Sequence, residues 1–230
     1  MRVLTDDELL LISGGYGESD VTVTHPPYED PGYTGIGGGG DSGGTGGGGS
    51  GGGDNGTETS TTHPTDDCAA KAIAEKILAK PDSRTLEYRG FIYNIGSGPT
   101  YASDVATSGQ QGRVAVDFDD VGMPSAFNLM ASVHNHPIEV LQDPRTGATE
   151  PVRDLEKNSL PSYIDIKGMY DYAHAMRDAG ITNWQDYKIY IVSGTTVREF
   201  RYSDQDWSKL AEGNLGPATW AKSASFTPCS

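Results

Sequence analysis

What this sequence has little of narrows it first. Cysteine occurs twice in 230 residues, at Cys68 and Cys229, and neither stands near the chain's paired histidines, which excludes a cysteine-closed structural zinc site there. Basic residues are scarce: 17 Lys and Arg stand against 32 Asp and Glu, for a formal charge of -15. No cluster of Lys and Arg supplies the face that grips phosphates, which argues against a nucleic-acid partner. No apolar run reaches membrane-spanning length. An ordinary secretory signal is missing as well, because Leu9–Ile12 is short and follows acidic residues rather than a basic region. Large apolar side chains are few and without period up to about Thr65, so no core can form there.

Most of the 31 glycines fall before residue 56. Residues 16–65 read as a disordered Gly-rich linker, and a spacer of about 50 such residues has an end-to-end distance of roughly 40 Å. His25 and His63, each before a proline, read as solvated loop residues. Residues 66–230 alternate apolar and polar blocks and are long enough for one domain with a real core.

The first fifteen residues carry their own pattern. Leu4, Glu8, Leu9 and Ile12 recur at helical spacing, with Thr5 as the candidate N-cap, and Gly14-Gly15 follows. This resembles the double-glycine leader of bacteriocins and microcins. The resemblance implies a short amphipathic helix docked on an ABC exporter, cleavage after Gly15 by its leader peptidase, and a secreted bacterial product. Paired glycines suit a narrow protease groove because they present no Cβ.

Within the domain, residues 66–80 are predicted to be a helix that Pro81 stops. Residues 85–95 read as a strand with a bulge or bend at Gly90. Further strands are expected at 112–118 and 131–136, with 126–130 open between strand and helix. Residues 137–161, rich in proline and polar residues, read as a loop. A helix is expected over 162–178, a hairpin over 187–193 and 197–202, and a last short helix over 204–212. The fold class is α/β or α+β, a single mixed sheet flanked by helices.

The chemistry centres on His134-Asn-His136-Pro137. Residues two apart on a strand share a face, so both imidazoles can meet one metal ion. Asp165, in the first turn of the next helix, supplies a third ligand. Two histidines and a carboxylate with an open fourth position form the layout of a catalytic zinc site. His-x-His-Pro followed by Ser162-x-x-Asp165 resembles the signature of the JAB/MPN/JAMM metalloproteases, and Glu87 matches that family's early-strand glutamate. The likeness spans about residues 66–202 and looks nearest to variants at the C-termini of bacterial polymorphic and Rhs-type toxins.

The resemblance implies a JAB/MPN-like sandwich that hydrolyses a peptide or isopeptide bond in a protein or peptide substrate. His134, His136 and Asp165 bind Zn2+ in that reading. Glu87 relays the proton, and Ser162 donates to the oxyanion. The sequence departs from the family in the gap of 137–161, much longer than usual, which could shape substrate choice or act as a lid. Taken alone, Ser162-x-x-Asp165 is also a plain helix N-cap pattern. His174, mid-helix beside apolar neighbours, reads as packing.

Other functions compete. One is a bacteriocin-like binding module on an inactive JAMM fold; another is a nuclease toxin, which the acidity disfavours. A toxin implies a possible immunity protein as a further partner. Cys68 and Cys229 are able to pair after export, or to remain apart.

Overall fold

The computed structural model describes residues 61–109, 116, 118–124, 127–142, 148–210, 216–227 and 229. The leader with Gly14 and Gly15, and the linker up to residue 60, lie outside the described residues. So do most of 112–118 and part of 204–212.

The folded part begins ahead of Asp66. β1 (Thr62–His63) pairs antiparallel with β3 (Thr100–Ala102), so His63 sits in an edge strand rather than a solvated loop. Thr65 then caps α1 (Asp66–Leu78): its hydroxyl accepts from the Cys68 amide, and Asp66 and Asp67 occupy the positive end of the helix. Ala69, Ala70, Ile73, Ala74 and Ile77 recur every three or four residues and are buried.

The main sheet is mixed and seven-stranded, in the order β1-β3-β2-β4-β7-β8-β9. β2 (Arg89–Asn94) and β4 (Asn128–Asn135) run antiparallel. β4 and β7 (Lys188–Ser193) run parallel, which requires a crossover, and α3 (Tyr163–Asp178) supplies it. β8 (Thr196–Arg201) returns as a hairpin across Gly194, whose φ of +58° only glycine adopts cheaply. β9 (Ser223–Ala224) closes the far edge.

Each face of the sheet carries one long helix. α1 covers Ile92, Ala131, Val133, Tyr190 and Val192. α3 presents Ile166, Met169, Ala173 and Met176 to Phe91, Leu129, Ile189, Ile191 and Phe200. The central strands β4 and β7 are covered on both sides, which explains their near-continuous burial. Cys68 and Cys229 form a disulfide with their Cα atoms 5.1 Å apart, tying the end of the chain to the first turn of α1.

Several expectations need correction. The early strand starts at Arg89, not at residue 85: Pro81–Thr85 is a run of turns. The register shift in this strand falls between Ile92 and Tyr93 rather than at Gly90. Gly90 is small for another reason, since a Cβ there would stand 2.9 Å from both the Asp104 carbonyl oxygen and Ile73 Cγ2. Of 112–118, Val116 and Phe118 are described, and both join the core without being in a strand. Residues 126–130 resolve to strand from Asn128 onward.

The supposed loop of 137–161 holds a small hairpin, β5 (Val140–Gln142) with β6 (Thr149–Pro151), and a one-turn helix, α2 (Leu155–Asn158). The last helix is replaced, among described residues, by two single 3-10 turns at Tyr202–Asp204 and Trp207–Lys209.

Candidate metal centre

His134 lies inside β4, hemmed by Arg89 on one side and Ile191 on the other, and its side chain is 2 % exposed. His136 stands one residue beyond the strand end, where its amide still donates to the Val192 carbonyl. The alternation of β4 turns both rings toward the α3 side, 5.2 Å apart between centroids.

Asp165 reaches them from the first turn of α3. Its Oδ1 is 3.1 Å from His134 Nε2 and its Oδ2 is 3.2 Å from His136 Nε2. One ligand atom from each of the three residues fits within a 4.8 Å cluster, so this trio is able to hold a metal ion. The state of His134 tests the fit. Its Nε2 has Asp165 Oδ1 at 3.1 Å as an electrostatic neighbour, yet neither nitrogen of the buried ring makes a hydrogen bond of good geometry. A buried imidazole left in that state needs an explanation, and coordination of an ion supplies one.

Asp165 arrives there through the helix cap. Ser162 Oγ accepts from the Asp165 amide at 3.1 Å, while Asp165 Oδ2 accepts from both the Ser162 amide and the Ser162 hydroxyl at 2.7 Å. This is a reciprocal capping box. The pattern that doubles as an ordinary N-cap therefore is one, and it also aims the carboxylate at the histidines. The single hydroxyl proton of Ser162 points at Asp165, so donation to an oxyanion requires the hydroxyl to turn.

Glu87 precedes β2. Extending the β2–β4 register by two residues places it opposite His136. Asn135, between the two histidines, fixes that placement. Its Oδ1 accepts from the Tyr88 amide at 2.7 Å, and its Nδ2 donates to the Ser83 and Leu86 carbonyls at 2.7 and 3.0 Å. Sequence reading passed over Asn135, although its place inside His-x-His is itself a pointer. It also passed over Asn158, whose carbonyl accepts from His136 Nδ1 at 2.7 Å, and no local pattern announces that contact.

The electrostatics follow from burial and three opposing charges. Burial pushes the Glu87 carboxyl up to about 7; His136 draws it down and Asp165 reinforces the rise. Burial also disfavours a charged His136, but the hydrogen bond and charge of Asp165, with Glu87 behind them, outweigh it and lift this imidazole to about 9. His134 moves the other way, held down by burial that Asp165 only partly offsets. Asp165 resists its own burial because the two histidines keep it ionised well below the usual carboxylate range.

The remaining expectations divide. His174 is indeed a packing residue, its Nε2 3.0 Å from the Tyr202 hydroxyl and its ring tilted against Tyr170 with centroids 3.9 Å apart. Among the described residues no helix is long and apolar enough to cross a membrane. Compared with known protein families, curated proteins and solved structures, the chain matches none.

Proposed function

We propose that this chain is an exported bacterial zinc-dependent amide hydrolase of the JAB/MPN/JAMM kind, acting on a protein or peptide, in the manner of an antibacterial toxin. The observation that carries the reading is the convergence of His134, His136 and Asp165, with Glu87 close enough to feel the charges of His136 and Asp165. A zinc ion held by the three ligands supplies Lewis acidity toward a carbonyl and a water molecule.

Glu87 does the proton work. Burial raises its carboxyl in the metal-free chain and a bound cation would draw it back down, so it can take a proton from the attacking water and return it to the departing amine. His134 and His136 hold their places through β4, and Asp165 through the cap of α3. Asn135 keeps Glu87 from drifting by fastening the turn that carries it.

The leader resemblance and the Cys68–Cys229 bridge support export, since a disulfide is at home outside the cytosol. A second reading has one observation in its favour. The Ser162 hydroxyl is committed to Asp165, which suits a site that binds without catalysing, as in a bacteriocin-like binding module.

Elemental analysis of the purified full chain tests the proposal, wild type beside His136→Ala. About one zinc per chain in the wild type, lost in the variant, is expected. A folded wild type without zinc ends the hydrolase reading. Zinc present but no amide cleavage altered by Glu87→Gln transfers the case to the binding module.

A further inference from the structure

The two histidines differ in what holds them. His134 is locked by strand neighbours on both sides. His136 lies past the end of β4 and is followed by Pro137, so its ring has to be aimed by something other than the sheet. The contact that aims it comes from 137–161, the segment in which this chain departs most from the metalloprotease pattern.

We propose that Asn158 is a positioning residue for His136, delivered to the site by the 137–161 segment; the inference rests on the reading of His134, His136 and Asp165 as metal ligands. A backbone carbonyl only accepts, so the 2.7 Å contact between His136 Nδ1 and the Asn158 oxygen requires the proton on Nδ1. Nε2 is then the nitrogen turned toward Asp165. An outer partner of this kind fixes both the tautomer and the orientation of a ligating imidazole.

Any residue offers a carbonyl, but the Asn158 side chain decides where this one stands. Its Nδ2 donates to the carbonyl of Pro137, the residue after His136, at 2.9 Å, and to Ser193 Oγ, at the end of β7, at 3.1 Å. Asn158 is therefore tied to two neighbouring strand ends while its own oxygen meets the ring. It is 7 % exposed, so these bonds have little competition from water. The turn that carries it, α2, is four residues long and cannot hold itself. Asp154 caps it through the Lys157 amide, and the tethers to Pro137 and Ser193 do the rest. Asn158→Ala keeps the carbonyl and cuts both tethers.

The test uses the full chain as wild type, Asn158→Ala, Ser193→Ala and Ile73→Val, the last a core variant on the α1 side that controls for general loss of stability. Zinc affinity is read by competition with a chromophoric chelator. The His136 Nδ1–H resonance is read by NMR on the metal-free chain. The proposal expects zinc affinity to fall roughly ten- to hundred-fold in Asn158→Ala, by less in Ser193→Ala, and not in Ile73→Val. It also expects the Nδ1–H signal, sharp in the wild type, to broaden or vanish in Asn158→Ala.

Wild-type affinity together with an intact signal in Asn158→Ala overturns it. If Asn158→Ala does not fold, Ser193→Ala decides by the same two readings. If the wild type binds no zinc, the metal reading fails on its own. The Nδ1–H signal then still supports the positioning role when lost in Asn158→Ala and refutes it when kept.

Discussion

Replacing Glu87 by glutamine in the metal-free chain removes a charge while keeping shape, and its effect on stability must depend on pH. Below about pH 4.5 the wild-type carboxyl is neutral in the folded and the unfolded chain, and the substitution changes little. Between 4.5 and about 7 the unfolded chain gives up its proton while the folded chain keeps it, so wild-type stability falls as pH rises. Above 7 both are ionised and the difference levels off. A rise of about 2.5 units at 1.36 kcal/mol per unit sets a ceiling of about 3 kcal/mol. Residual solvent contact of the half-buried side chain reduces this to about 1–2 kcal/mol; the pull of a charged His136 is already contained in the rise. Urea unfolding of both chains in the presence of a chelator, from pH 4 to pH 8, measures it. Glu87→Gln should gain on the wild type up to pH 7 and then hold its lead. Added zinc should shrink that lead, because a nearby cation favours the carboxylate. A difference that does not change with pH refutes the argument.

Three further perturbations follow from local contacts. Ser162→Ala deletes the cap of α3 and one donor to Asp165, so it should cost about 1 kcal/mol in thermal unfolding and weaken zinc retention as well. Gly90→Ala forces a Cβ to within 2.9 Å of the Asp104 carbonyl oxygen and of Ile73 Cγ2 on α1, and should lower stability by about 1–3 kcal/mol in chemical denaturation. Cys229→Ser opens a loop with a sequence separation of 161; on the loop-entropy account the loss is at most about 5 kcal/mol, and an unchanged melting temperature would count against that account.

The elements that could be read from the sequence are those written in local code. Asp66 and Asp67 at its start and Pro81 beyond its end announce α1, and Ser162 with Asp165 announces α3, because such signals are decided within a turn or two. The Thr65 cap of α1 is not among them, since by composition Thr65 reads as the end of the linker. The hairpin around Gly194 shows in its alternation and turn. The metal trio was legible because two of its members share one strand and the third opens a helix. What escaped is what distance in sequence decides. β1, β3 and β9 are two or three residues long and exist only through their partners. Glu87 sits before its strand because Asn135 holds the preceding turns, a contact 47 residues away. The order inside 137–161 depends on Pro137, Ser193 and His136 as anchors, so composition alone reads it as loop.

The Cys68–Cys229 bridge also decides how the domain bears a load. The chain enters the fold at Thr62 and, six residues later, reaches a cysteine covalently joined to Cys229. A pull between the chain ahead of Thr62 and its C-terminal end therefore loads the short β1–β3 pairing and the first turn of α1, then passes through one sulfur–sulfur bond and leaves the other strands of the sheet unstressed. Reduced, the same pull could draw out the intervening chain, on the order of 550 Å at about 3.4 Å per residue. Oxidised, the domain behaves under tension as a nearly inextensible link, while remaining as extensible as any other chain before the bridge is made.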